Sequence, residues 1–162
     1  MNSLIVRSNI LFTGVFTVLT FVAAWLFTPG LRGMIVAVDL ALFAIGCFAF
    51  IWSYFSGVQR SRTDEISVAG LFALAGGVAP RRITMVMNSC LAAQVVVGLI
   101  GAIVRSSTDG RAGSTLAFGV LVPLLGLGLN GLWASKYGTF GKRILSEVSA
   151  PEGEIGKDGA HG

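Results

Sequence analysis

Residues 60–82 read R-S-R-T-D-E-I-S-V-A-G-L-F-A-L-A-G-G-V-A-P-R-R, from Arg60 to Arg82. Basic pairs stand at both ends, and the run from Ile66 to Ala79 between them holds fourteen residues without a charge. At 1.5 Å per residue that run covers about 21 Å, short of the roughly 30 Å of bilayer hydrocarbon. It is too short to span. It reads as a helix that lies in the membrane interface, dips into it, or packs under other helices. The strongly apolar flanks on either side take their placement from this insert.

Composition supports a membrane setting. Of 162 residues, 54% are hydrophobic and only 12% charged. Soluble domains carry about 25% charged residues. The net charge of +4 could suggest nucleic acid. The basic residues instead stand at the ends of apolar runs, where they orient spans and meet anionic headgroups, so no nucleic-acid partner is expected. Cys47 and Cys90 lie inside apolar runs and form no C-x-x-C, so they read as small buried hydrophobes.

Working outward from the insert gives four spans, about 10–28, 34–56, 83–104 and 114–135, with the insert helix at about 63–79. A signal peptide is the competing reading for the first. Its run of eighteen residues, closed by Trp25, Leu26 and Phe27, is longer than the usual apolar core and lacks a small-residue cleavage site. Runs of this length without strict alternation argue helix, and lipid demands that every backbone group be satisfied internally. The expected fold is an all-α membrane bundle of two antiparallel hairpins. The segment 144–162 is polar and has a disordered composition.

Charge orients the bundle. Nine of the twelve Lys and Arg residues fall on the side of the termini and the insert, against Arg32, Arg105 and Arg111 on the other. That places both termini and the insert in the cytoplasm. Arg60, Arg62, Arg81 and Arg82 then meet lipid headgroups or a partner. Trp52, Tyr54, Trp133 and Tyr137 at that end, with Trp25 at the other, suit an interfacial aromatic belt.

Few residues can carry chemistry. Thr63-Asp64-Glu65 reads as a capped helix start, with Ala69, Ala73 and Gly77 recurring every four residues as a small-residue face and Pro80 as the stop. Asp39 is an acid well inside a span. It reads either as a functional carboxylate or as half of an ion pair with Arg105 or Arg32. Gln94 lies near the middle of the third span, and Asn88 and Asn130 fall at similar depth on antiparallel neighbours. These four could form a polar path, or simply bond helix to helix. Pro123 should kink the fourth span, freeing the carbonyl of Gly119. The body has no histidine, metal-ligand cluster, phosphate-binding loop or G-x-S-x-G, so neither an enzyme nor a cofactor is expected.

R-T-D-E-I-S-V-A-G-L-F at Arg62 to Phe72 and A-F-G-V-L-V-P-L-L-G-L-G-L-N-G-L-W at Ala117 to Trp133 resemble a group of uncharacterised four-span integral membrane proteins of actinobacteria. The resemblance implies a bacterial cytoplasmic membrane and carries no activity or site. The leading expectation is a non-enzymatic accessory or scaffold subunit, packing in the bilayer with itself or a larger complex. The alternative is a small transporter or channel with a polar path near Asp39 and Gln94.

Overall fold

The computed structural model describes residues 4–108 and 110–142, so the tail read at 144–162 lies outside it. Helices α1 (Leu4–Leu26) and α2 (Pro29–Arg60) are followed by a two-residue strand β1 (Asp64–Glu65) and the short helix α3 (Val68–Ala73). Helix α4 (Arg81–Val104) then leads into a small hairpin of β2 (Ser107–Thr108) and β3 (Arg111–Ala112). The last span is a 3-10 segment, Thr115–Leu121, continued by α5 (Pro123–Tyr137), after which β4 (Gly141–Lys142) pairs antiparallel with β1. The four long helices are each long and apolar enough to cross a membrane, which makes the chain a multi-pass integral membrane protein. The 32 residues of α2 reach about 48 Å, more than the hydrocarbon needs.

The long helices meet along narrow seams. The buried residues of α1 are Val6, Asn9, Thr13, Phe16, Thr20 and Ala23, alternating by three and four. Those of α2 are Ile35, Asp39, Leu42, Gly46, Ala49, Ser53 and Gly57, nearly the same rhythm. That spacing is the narrow seam of knobs-into-holes packing. The remaining faces expose large apolar side chains such as Phe21, Phe48, Ile51 and Ile103, as lipid requires.

The most extensive packing joins α2 to α5, parallel helices from different hairpins, rather than neighbours in sequence. Glycines make it possible. A Cβ on Gly46 would stand 2.5 Å from the Leu125 nitrogen, and one on Gly128 2.6 Å from the Gly46 carbonyl oxygen. Backbone approaches backbone where a side chain would intervene, the usual device where no hydrophobic effect drives helices together.

The insert differs from its sequence reading. The helix is six residues, not seventeen, and its cap is Ser67, whose hydroxyl accepts from Gly70 N–H at 2.9 Å. Asp64 and Glu65 are extended and pair with Lys142 and Gly141 instead of starting a helix. The helix stops at Leu74 in the left-handed region, φ 54°, so Gly77 does not continue a face with Ala69 and Ala73. Leu71, Phe72, Leu74, Val78 and Ala79 are buried, and Phe72 stacks on Phe50 at 4.5 Å between centroids. The insert is thus folded into one end of the bundle.

Two further departures follow from local chemistry. Pro123 does not kink a continuous helix. It occupies the first turn of α5, where its missing N–H costs nothing. The Gly119 carbonyl accepts from Val122 N–H at 3.2 Å within the tighter 3-10 geometry. Trp133 is buried, so of the four aromatics expected in a belt at the insert end only Trp52, Tyr54 and Tyr137 are exposed.

Candidate functional site

Two helices end inside the protein, and each end exposes backbone groups that lipid cannot satisfy. The first is the start of α5. Leu125 N–H turns back to the Val122 carbonyl at 2.8 Å, leaving Gly126 N–H without a helical acceptor. Gln94 supplies one: its Oε1 accepts from Gly126 N–H at 3.1 Å. A Cβ on residue 126 would stand 2.6 Å from that oxygen, so only glycine lets the amide approach. The Gln94 amide nitrogen donates to Thr13 Oγ1 at 2.7 Å and to Asn9 Oδ1 at 3.3 Å. One buried side chain therefore ties α1, α4 and α5 together.

The second is the C-terminal end of α3. Asn88 Nδ2 donates to the Ala73 carbonyl at 2.9 Å. Asn130 Nδ2 donates to the Phe72 carbonyl and to Asn88 Oδ1, both at 3.0 Å. The antiparallel placement expected for Asn88 and Asn130 holds, and their joint effect is to pin the insert. Asn130 Oδ1 and Trp133 Nε1 remain without partners among the described residues.

Asp39 stands apart. It lies ten residues into α2, about 15 Å along the axis, against five residues into the span expected at 34–56. It is 1% exposed, and neither carboxylate oxygen has a hydrogen-bond partner among the described residues. Ile35, one turn away, packs in one cluster with Leu116, which sets Asp39 level with the 3-10 segment. Arg105 does not pair with it. That guanidinium donates through Nε and Nη2 to the Ala24 carbonyl at 3.0 and 2.8 Å. Gln94 and Asp39 share no bond, so the four polar candidates form no continuous line.

At the insert end Arg60 is a clamp rather than a headgroup contact. Its Nε meets Asp64 Oδ2 at 2.7 Å, and its two terminal nitrogens donate to the Ser135 and Gly138 carbonyls at 3.2 and 3.0 Å. The guanidinium also lies over Phe140, 5.1 Å from the centroid. Arg62, Arg81 and Arg82 are exposed at the same end.

Asn9 and Thr13 were missed in the sequence reading. Arg7 ended the apolar run there, so Asn9 read as part of a polar start, yet it is fully buried. The available signal was the three-four spacing from Asn9 through Thr13, Phe16 and Thr20. No protein-family model, curated protein or solved structure matches the chain.

Proposed function

We propose that the protein is a non-enzymatic accessory subunit of a membrane assembly, docking through the outer surface of its insert. One observation carries this: the insert is two-sided. Its inner face is held by Asn88 and Asn130, while Val68, Ala69, Ala73, Ala75 and Gly76 are exposed on the other. A fixed surface of small side chains admits a partner helix closely. The polar side chains of the interior support the reading, because Gln94, Asn88 and Asn130 brace helix ends instead of lining a passage. The setting is a bacterial cytoplasmic membrane with both termini and the insert inside, where Arg62, Arg81 and Arg82 face anionic headgroups. The partner is another membrane protein or a second copy of this chain.

A photo-crosslinking residue at position 73 tests this in intact cells. The expected result is a discrete adduct, containing this chain and one partner, that disappears when Ala69→Glu is added. Absence of any adduct, together with purification of this chain alone in mild detergent, refutes docking.

A second reading, a small transporter or channel, draws support from the unpartnered Asp39 carboxylate within a span. Flux in liposomes that is lost on Asp39→Asn supports it. Liposomes without flux remove it.

A further inference from the structure

Two features meet at the end of the bundle opposite the insert. The first is a groove of about 210 Å³ between α1 and α4, lined by Thr20, Ala24, Trp25, Ile100, Gly101 and Val104. Gly101 forms its floor, where a Cβ would press on Thr20 at 3.0 Å. Thr20 is buried, and its hydroxyl has no partner among the described residues. Thr17, by contrast, donates to the Thr13 carbonyl as helical threonines commonly do.

The second is a gathering of positive charge. The guanidinium carbons of Arg105 and Arg32 lie 4.8 and 5.2 Å from the centroid of the Phe27 ring. The two charges are therefore no more than about 10 Å apart. Phe27 holds its position with φ 41°, an uncommon conformation for a residue with a side chain. Arg105 is bonded to the Ala24 carbonyl, and Ala24 and Val104 line the groove, so its guanidinium sits at the groove's mouth. Thr20 lies one helical turn, about 6 Å, below Ala24. An apolar slot with one guanidinium at its mouth and a second within about 10 Å of it matches an acyl chain under a phosphate.

We propose that this groove binds one anionic glycerophospholipid from the leaflet at that end. The phosphate meets Arg105 and Arg32, and an acyl chain lies between α1 and α4. Ala24 holds Nε and Nη2 of Arg105, so Nη1 is the group that meets a phosphate oxygen, in a charge-assisted hydrogen bond. The proposal does not depend on the docking function.

The test uses the full chain in nanodiscs of dioleoyl phosphatidylcholine with a minor share of dioleoyl phosphatidylglycerol, released and weighed by native mass spectrometry. One phosphatidylglycerol should be retained per chain, with about tenfold preference over phosphatidylcholine. Arg105→Gln should abolish the preference. If that variant fails to fold, having lost its bonds to Ala24, Arg32→Gln replaces it. Ile100→Trp, which fills the groove from its exposed side, should lower retention of both lipids. Arg62→Gln, at the insert end, should change nothing. Glycerol 3-phosphate, a headgroup without chains, should not be retained. Equal retention of the two lipids overturns the proposal, as does preference that survives the arginine substitution. Retention that survives Ile100→Trp, or glycerol 3-phosphate bound as well as the whole lipid, also overturns it.

Discussion

Alanine at Gly46 should destabilise the protein, whereas alanine at Gly14 should not. Both glycines are inside long helices, so both substitutions gain the same intrinsic preference, up to about 1 kcal/mol. At Gly14 no atom lies within 4 Å of the added Cβ, which enters the lipid-facing surface. At Gly46 the Cβ would meet the Leu125 nitrogen at 2.5 Å, its Cα at 2.7 Å and the Leu124 carbonyl carbon at 2.8 Å. Ordinary contact begins at 3.4 Å, and the opposing atoms are backbone that no rotamer can move. Helices α2 and α5 must separate by about 1 Å, which forfeits a quarter to a half of each dispersion contact along the seam. Overpacking of this kind costs about 1–3 kcal/mol, which exceeds the propensity gain. Gly128→Ala presses on the Gly46 carbonyl oxygen across the same seam. Once one substitution has parted the helices, the other meets less resistance, so the double variant should lose less than the sum of the singles. Unfolding of the purified protein in mixed micelles, titrated with a denaturing detergent and followed by tryptophan fluorescence, reads this. Buried Trp133 on α5 supplies the signal, against exposed Trp25 and Trp52. Gly46→Ala as stable as Gly14→Ala would refute the close approach of these helices.

Gln94→Leu should lower stability by about 1–3 kcal/mol in the same titration, because it orphans Gly126 N–H. A loss near the roughly 0.6 kcal/mol typical of membrane side-chain bonds would show that this helix start finds another acceptor. Asn130→Leu should free the end of α3, so amide exchange should rise across residues 68–79 while α1 stays protected; unchanged exchange in the insert contradicts the pinning role. Asp39→Leu should be neutral or stabilising by up to about 1–3 kcal/mol, because it removes a buried polar group that has no hydrogen-bond partner among the described residues. A marked loss of stability would reveal a partner for that carboxylate.

The four spans were legible because each is a long apolar run closed by charge, and nothing distant competes with that signal. The insert was not, because its local and distant signals disagree. Thr63-Asp64-Glu65 carries every local mark of a helix start, and Ser67 four residues later carries another. Pairing of Asp64 with Lys142, far along the chain, selects the second. Arg60 reinforces that choice by holding Asp64 and the Gly138 carbonyl at once. The polar candidates were found by type and depth, but their work was hidden. Gln94 acts on a helix start that exists because Pro123 begins α5 rather than bending a longer helix.

A chain this apolar carries polar side chains inside its spans where the backbone needs them. A helix that stops within the bundle must give its end groups to side chains, since lipid offers none. The start of α5 and the end of α3 are two such interruptions. The amides of Gln94, Asn88 and Asn130 answer them with three hydrogen bonds to backbone groups, at Gly126, Ala73 and Phe72, and three more between side chains hold the amides in position. Backbone repair therefore explains these three without recourse to a substrate, and they cannot also be offered as evidence for a path. Asp39 answers no such need: α2 runs unbroken through it, and its oxygens touch no donor among the described residues. A transport reading must accordingly stand on that one carboxylate, whereas the docking reading stands on the surface that Asn88 and Asn130 hold in place.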